Sequence, residues 1–219
     1  MAIEVYWGSG SPFAWRVLLA LEIKKIPYLA KRLSFSEQDL KSAEFLAINP
    51  RGKVPAIKEG EFCLHESVAI LCYLEASHPE PALFAGSPSE QGRIWCAIME
   101  CLNYLESQMT DFAGTIFSGQ LAAKRAEAIR SRELIETELA CINATLAKSL
   151  FLIDDRLTAA DIVVYPVIQL LLRAANKPAS ETIAGSLVAV EQVYPALLAW
   201  FRRIEAIPGY QRTYPPHWR

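Results

Sequence analysis

An α/β unit over residues 1–78 followed by an all-α domain over residues 88–219 is the fold class this sequence predicts. Three observations lead to it. Alternating, strand-forming stretches occur only in the first part of the chain. A linker rich in breakers, from Ser77-His78-Pro79-Glu80-Pro81 to Ala85-Gly86-Ser87-Pro88, closes that part. Beyond it, every apolar pattern has helical spacing.

The elements follow in order. Ile3-Glu4-Val5-Tyr6-Trp7 alternates and is rich in strand formers, so it reads as a first strand. Gly8-Ser9-Gly10 is a loop. Ser11-Pro12 then opens a helix, with serine at the N-cap and proline at the first helical position. That helix runs to Lys25, carries Val17, Leu18 and Leu21 on one face, and stops at Ile26-Pro27. Tyr28 to Leu33 is a second strand, and Ser36 to Leu46 is irregular or short helix. Ala56-Ile57-Lys58 and Phe62-Cys63-Leu64 flank Glu59-Gly60-Glu61 as an antiparallel hairpin. A helix from Ser67 to Ala76 completes the unit. In the second domain Glu90 to Asp111, Lys124 to Leu146, Thr158 to Ala175 and Tyr194 to Ile207 carry helical spacing. Thr158-Ala159-Ala160-Asp161 has the logic of a capping box, with Asp in place of Glu, opening a buried core helix. The apolar tail Tyr214-Pro215-Pro216-His217-Trp218 is expected to pack on the body.

Composition narrows the function classes. Hydrophobic residues make up 52% and charged residues 21%, enough for a sizeable core. The net charge of −2 and the scattered basic pairs leave no strongly basic face, so nucleic acid is not an expected partner. The N-terminus lacks the pattern of a signal peptide, and the most apolar stretch, Ile162 to Leu172, is interrupted by Pro166 and Gln169. No membrane association is expected, and the location read from this is cytoplasmic. The five cysteines form no Cys-x-x-Cys and read as buried thiols of a reducing compartment. The three histidines lie far apart with no ligand spacing, so no metal is expected.

The stretch that carries chemistry is Asn49-Pro50-Arg51-Gly52-Lys53-Val54-Pro55, with His65-Glu66-Ser67 opening the next helix. Pro55 lacks an N–H and precedes a strand, which makes Val54–Pro55 a candidate cis peptide in a special turn. In that geometry the Val54 amide and carbonyl turn out of the sheet, toward an extended ligand backbone. Ser67 at a helix start leaves free N–H groups and a positive dipole end for a carboxylate, and Glu66 beside it suits an ammonium. A backbone-pairing edge beside a two-sided grip on a zwitterion describes a peptide-like ligand.

The joint pattern Asn-Pro-x-Gly-x-Val-Pro and Glu-Ser at a helix start resembles the glutathione site of cytosolic glutathione S-transferases. Together with Ser11-Pro12-Phe13-Ala14-Trp15-Arg16-Val17 and the box at Thr158, the resemblance covers nearly the whole chain and points to serine-type, bacterial-like members. It implies a thioredoxin-like N-terminal domain, an all-helical C-terminal domain and a homodimer. It also implies glutathione as co-substrate rather than a bound cofactor. Val54 would pair with the cysteinyl unit while Pro55 holds the turn, and Glu66 and Ser67 would bind the γ-glutamyl end. Lys53 would meet the glycyl carboxylate, with Lys41 and Gln38 as weaker candidates, and Phe13 would join the site.

The enzyme must make the glutathione thiol a thiolate. A free thiol of pKa about 8.5 is mostly protonated at neutral pH. Lowering it by about two units takes only about 2.7 kcal/mol. One hydroxyl hydrogen bond plus the field of a helix N-terminus is of that size. Ser11 is the catalytic candidate, Ser9 the second, and Tyr6 reads as a packed aromatic. Ser11 and Ala14 stand where disulfide-exchanging relatives carry cysteines, so thiol–disulfide exchange through the protein lacks its nucleophile. The expected second substrate is a small hydrophobic electrophile, held between the domains by Phe13 with Asp111, Phe112 and Phe117. Peroxide reduction or isomerisation with the same thiolate, or a non-catalytic binding module, are the alternatives. Arg16 reads as a surface or packing arginine.

Overall fold

The computed structural model describes residues 2–84 and 86–218, so Met1, Arg219 and one predicted linker residue, Ala85, lie outside it. The chain divides into two compact units, Met1–Leu83 with Glu205–Arg219, and Phe84–Ile204. Residues 205–218, assigned by sequence to the helical domain, thus return to the first unit.

The first unit holds a four-stranded mixed sheet in the order β2-β1-β3-β4. β1 (Ile3–Gly8) is parallel to β2 (Tyr28–Leu33) and antiparallel to β3 (Ala56–Glu59), which pairs antiparallel with β4 (Phe62–His65). Between β1 and β2 runs α1 (Pro12–Ile23), with Ser11 as its N-cap as predicted. The expected irregular segment resolves into a 3-10 turn, Asp39–Lys41, and a short helix α2 (Ala43–Ile48). After β4 comes α3 (Ser67–Ser77), packed against α1. β2 is one of the two edges and the more exposed, carrying Lys31 and Arg32 as edge strands do to discourage pairing with another chain.

Two contacts tie α1 down. Lys24 at its C-terminal end is buried, its ammonium held by the carbonyls of His78 (2.8 Å) and Pro81 (2.9 Å) and by Glu75 (2.7 Å). Trp15 forms an aromatic nest with Tyr210, Tyr214 and Trp218 of the returning segment, and its indole N–H donates to Thr213 Oγ1 at 2.8 Å. Gly209 has φ +89°, and a Cβ there would lie 2.3 Å from the Glu22 carboxylate, which pairs with Arg212.

The second unit is helical. α4 (Pro88–Glu100) starts with a capping box, Ser87 and Glu90, and passes through a π turn, Cys101–Leu105, into α5 (Glu106–Phe117). The single predicted helix from Glu90 to Asp111 is therefore longer and widened at its middle. α6 (Arg125–Leu146), α7 (Ala159–Ala175), a single turn α8 (Val190–Val193) and α9 (Pro195–Glu205) follow. α7 is the buried core helix, with Pro166 inside it. No described helix is long and apolar enough to cross a membrane.

The cysteines depart from expectation. Only Cys101 is buried; Cys63 and Cys72 are half-buried, and Cys96 and Cys141 are exposed. The last two lie on amphipathic helices, where neighbouring apolar residues in sequence need not share a face.

Candidate active site

The sheet register gathers the predicted residues at one end of the first unit. Tyr6 of β1 stands opposite Ala56, and Ala56 stands opposite His65. The chain leaves that row, at one end of the sheet, in three segments: Trp7 to Ser11, Val54–Pro55 and Glu66–Ser67. Ser11, Phe13, Lys53, Val54, Pro55, Glu66 and Ser67 are thereby brought to the same end.

Each segment has a local cause. Ser11 follows a tight turn in which its amide donates to the Gly8 carbonyl at 3.1 Å. Its hydroxyl oxygen accepts the Ala14 amide at 3.2 Å, which leaves the hydroxyl hydrogen for another acceptor at the mouth of α1. Tyr6 spends its hydroxyl on Glu4 at 2.6 Å, and burial first, then that bond, pushes its phenol above the ordinary range. The packed-aromatic reading of Tyr6 holds.

The turn before β3 is built by Asn49, which is 2% exposed. Its amide donates to the Lys53 carbonyl at 2.6 Å, its side-chain oxygen accepts the Arg51 amide at 3.1 Å, and its carbonyl accepts the Gly52 amide at 2.9 Å. Gly52 has φ +59°, with the Leu40 carbonyl only 2.7 Å from where a Cβ would sit. Val54–Pro55 is a cis peptide. β3 starts at Ala56, so the Val54 peptide lies outside the ladder. Asn49→Ala would remove both turn bonds of this buried side chain, leaving the part-buried Lys53 carbonyl and Arg51 amide without it, and the expected cost is about 1–2 kcal/mol, read as a lower urea midpoint.

Glu66 has φ 72° and ψ 113°, a left-handed conformation that a residue with a Cβ rarely adopts and that costs on the order of 1–3 kcal/mol. Nothing in the sequence signals this. Its carboxylate is exposed, with Arg51 Nε at 3.9 Å, and Ser67 behind it is buried at the start of α3.

Arg16 is the residue sequence reasoning missed. Expected at the surface or as simple packing, it is 1% exposed, and its Nη1 donates to Ser67 Oγ at 3.3 Å. Its guanidinium lies 5.2 Å from the Phe13 ring centroid. A buried positive charge thus backs the N-terminus of α3, adding to a helix end that already favours an anion. Position 16 points away from the predicted face of Val17, Leu18 and Leu21, and it is buried because α1 is covered nearly all round.

Asp111, Phe112 and Phe117 belong to the second unit, on α5. Phe112 has no exposed surface and is a core residue, which removes it as a lining candidate. Asp111 is exposed, and Phe117 is 47% exposed. Among the described residues, no group of three or more His, Cys, Asp and Glu side chains is arranged to hold a metal ion.

Comparison with known proteins gives the following. Two family models match, "Glutathione S-transferase, N-terminal domain" over residues 10–77 and "Glutathione S-transferase, C-terminal domain" over residues 125–203. Glutathione S-transferase A of the plaice Pleuronectes platessa is 32% identical over 222 residues, covering 99% of this chain and 92% of that protein. A glutathione S-transferase structure from the Antarctic clam Laternula elliptica superposes with a TM-score of 0.84 at 28% identity, over 100% of this chain and 94% of that one. A glutathione transferase family member from Pseudomonas fluorescens, solved with two glutathione bound, gives 0.83 at 25% identity, over 98% and 92%.

Proposed function

The chain belongs to the glutathione S-transferase family, and on that premise we propose that it adds the glutathione thiolate to small hydrophobic electrophiles as a serine-type, bacterial-like member. The observation that supports this most is the convergence at one sheet end of three features. These are a hydroxyl capping α1, a cis-proline turn outside the ladder, and a Glu–Ser pair at the start of α3.

In this reading the Val54 backbone pairs with the cysteinyl unit and Pro55 holds the turn. Glu66 takes the γ-glutamyl ammonium. Ser67, the free amides of α3 and the buried Arg16 charge favour its carboxylate. Lys53 meets the glycyl carboxylate, and Phe13 packs beside the tripeptide. The sulfur lies at the mouth of α1, where the Ser11 hydroxyl hydrogen and the helix field stabilise negative charge. Positioning and electrostatics then suffice, because the thiolate is itself the nucleophile. Asp111 and Phe117 are retained as candidates for the electrophile's surroundings. Glutathione is a co-substrate in this scheme, no metal or organic cofactor takes part, and the working form is a cytoplasmic homodimer.

The test is retention on a glutathione resin, followed by a chromogenic conjugation assay and an ultraviolet titration of the bound thiol. Retention, turnover and a thiolate midpoint about two units below the free thiol's value of about 8.5 are expected. A sulfur still protonated well above neutrality would overturn the mechanism. Turnover of peroxides or of isomerisable substrates alone would move the reading to another acceptor. No retention and no turnover would favour the non-catalytic, scaffold reading.

A further inference from the structure

The returning C-terminal segment delivers an imidazole to the loop that carries the proposed sulfur site. His217 Nδ1 lies 2.6 Å from Ser9 Oγ, across 208 residues of sequence, and Trp218 Nε1 donates to His217 Nε2 at 3.1 Å. The ring sits directly over Gly10, where φ is +84° and a Cβ would be 2.8 Å from His217 Cε1. Any larger residue at position 10 would push the imidazole off the loop.

The direction of this chain of bonds follows from its donors. An indole N–H has no acceptor capacity, so Nε2 must be the accepting nitrogen of the ring. A neutral imidazole has one N–H, which therefore sits on Nδ1 and donates to Ser9 Oγ. Ser9 then does not need its own hydrogen for His217, and the hydroxyl hydrogen remains for a third group. A hydroxyl whose oxygen already accepts a bond is also the stronger donor. The segment is anchored well enough to hold the geometry. Trp218 packs edge-on against Trp15 at 5.5 Å between centroids, and Thr213 accepts the Trp15 N–H.

We propose that His217 is a positioning residue of the transferase: the Trp218–His217–Ser9 relay orients the Ser9 hydroxyl hydrogen toward the glutathione sulfur, beside the one offered by Ser11. The proposal rests on the transferase reading above. It makes the two serines partners rather than alternatives, since a thiolate sulfur accepts more than one hydrogen bond.

Conjugation kinetics of four variants test it: His217→Phe, Ser9→Ala, the double variant, and His217→Asn, whose amide can still donate to Ser9. His217→Phe and Ser9→Ala are each expected to lower kcat about tenfold with KM for glutathione within about twofold, because the loss falls on the charged sulfur. The double variant should be no worse than either single one, since both break the same relay. His217→Asn should recover most of the rate, and thiolate absorbance of bound glutathione at neutral pH should fall and recover in the same order. His217→Phe or Ser9→Ala at the wild-type rate would overturn the proposal. So would effects that multiply in the double variant, which would mean two separate roles. A tail displaced by His217→Phe is controlled by Ser9→Ala, which leaves the aromatic nest untouched. If the wild-type chain itself fails to conjugate, the transferase reading falls and takes this one with it. If it conjugates and these variants are indifferent, this one falls alone.

Discussion

Ser11→Ala is expected to lower kcat for conjugation about 100-fold while KM for glutathione stays within about twofold. A hydrogen bond to a charged group contributes about 1.5–3 kcal/mol, and each 1.4 kcal/mol is a factor of about ten. In the proposed assignment the tripeptide's two ends are held elsewhere, at Glu66, Ser67 and Lys53, so the loss should fall on the sulfur and not on binding. Ser11 also has a structural duty, since its oxygen caps α1 by accepting the Ala14 amide. Alanine removes that too, at about 1 kcal/mol, or a fall in Tm of roughly 2–4 °C for a chain of this size. Two further variants separate the duties. Ser11→Gly keeps most of the cap, because glycine at an N-cap costs only a few tenths of a kcal/mol, yet it should lose the rate like alanine. Ser11→Thr keeps both cap and hydroxyl and should retain most of the rate. An alanine variant at full speed would remove Ser11 from the mechanism, and a glycine variant at full speed would reduce it to a cap.

The outline of this molecule was legible because it is written in short-range chemistry. The Ser11-Pro12 helix start, the Glu59-Gly60-Glu61 hairpin and the cis Val54–Pro55 turn each depend on residues within a few positions of one another. Strand and helix bounds came out close for the same reason. What could not be read was set by partners far along the chain. The Arg16 guanidinium meets Ser67 across 51 residues, and no local rule places it inside. The positive φ of Glu66 belongs to a residue with no turn preference of its own, and is held by the hairpin before it and the helix after it. The return of the tail to Trp15 depends on an aromatic nest whose members are scattered over about 200 residues. Phe112 failed as a site residue because helical spacing identifies a face, not whether that face is turned to the core or to a ligand.

The largest effect on stability should come from Asp161→Ala, which is expected to cost about 4–5 kcal/mol and to lower Tm by roughly 10–20 °C. Asp161 has no exposed surface, and its carboxylate serves four donors. One oxygen takes the Leu152 amide and the Trp200 indole, each at 2.9 Å; the other takes the Thr158 amide at 2.8 Å and the Thr158 hydroxyl at 3.1 Å. The predicted capping box accounts for the bond back to the Thr158 amide alone. The other bonds fasten the loop before α7 and the indole of α9 to the same point. Alanine would strand two backbone amides and an indole in the core, at about 1–3 kcal/mol each before relaxation. Asp161→Asn keeps one accepting oxygen and should lose about half as much. The asparagine variant also isolates the titration. Burial outweighs the four hydrogen bonds and holds the Asp161 carboxyl above its ordinary value. The folded chain therefore keeps this proton at a pH where the unfolded chain has lost it. The resulting stabilisation is complete below the unfolded carboxyl's pKa, about 3.9, and is lost as pH rises through the folded value. The wild type's advantage over Asp161→Asn in urea should accordingly narrow as pH is raised from the acid side. An advantage that widens instead would mean the hydrogen bonds, not burial, control this carboxyl.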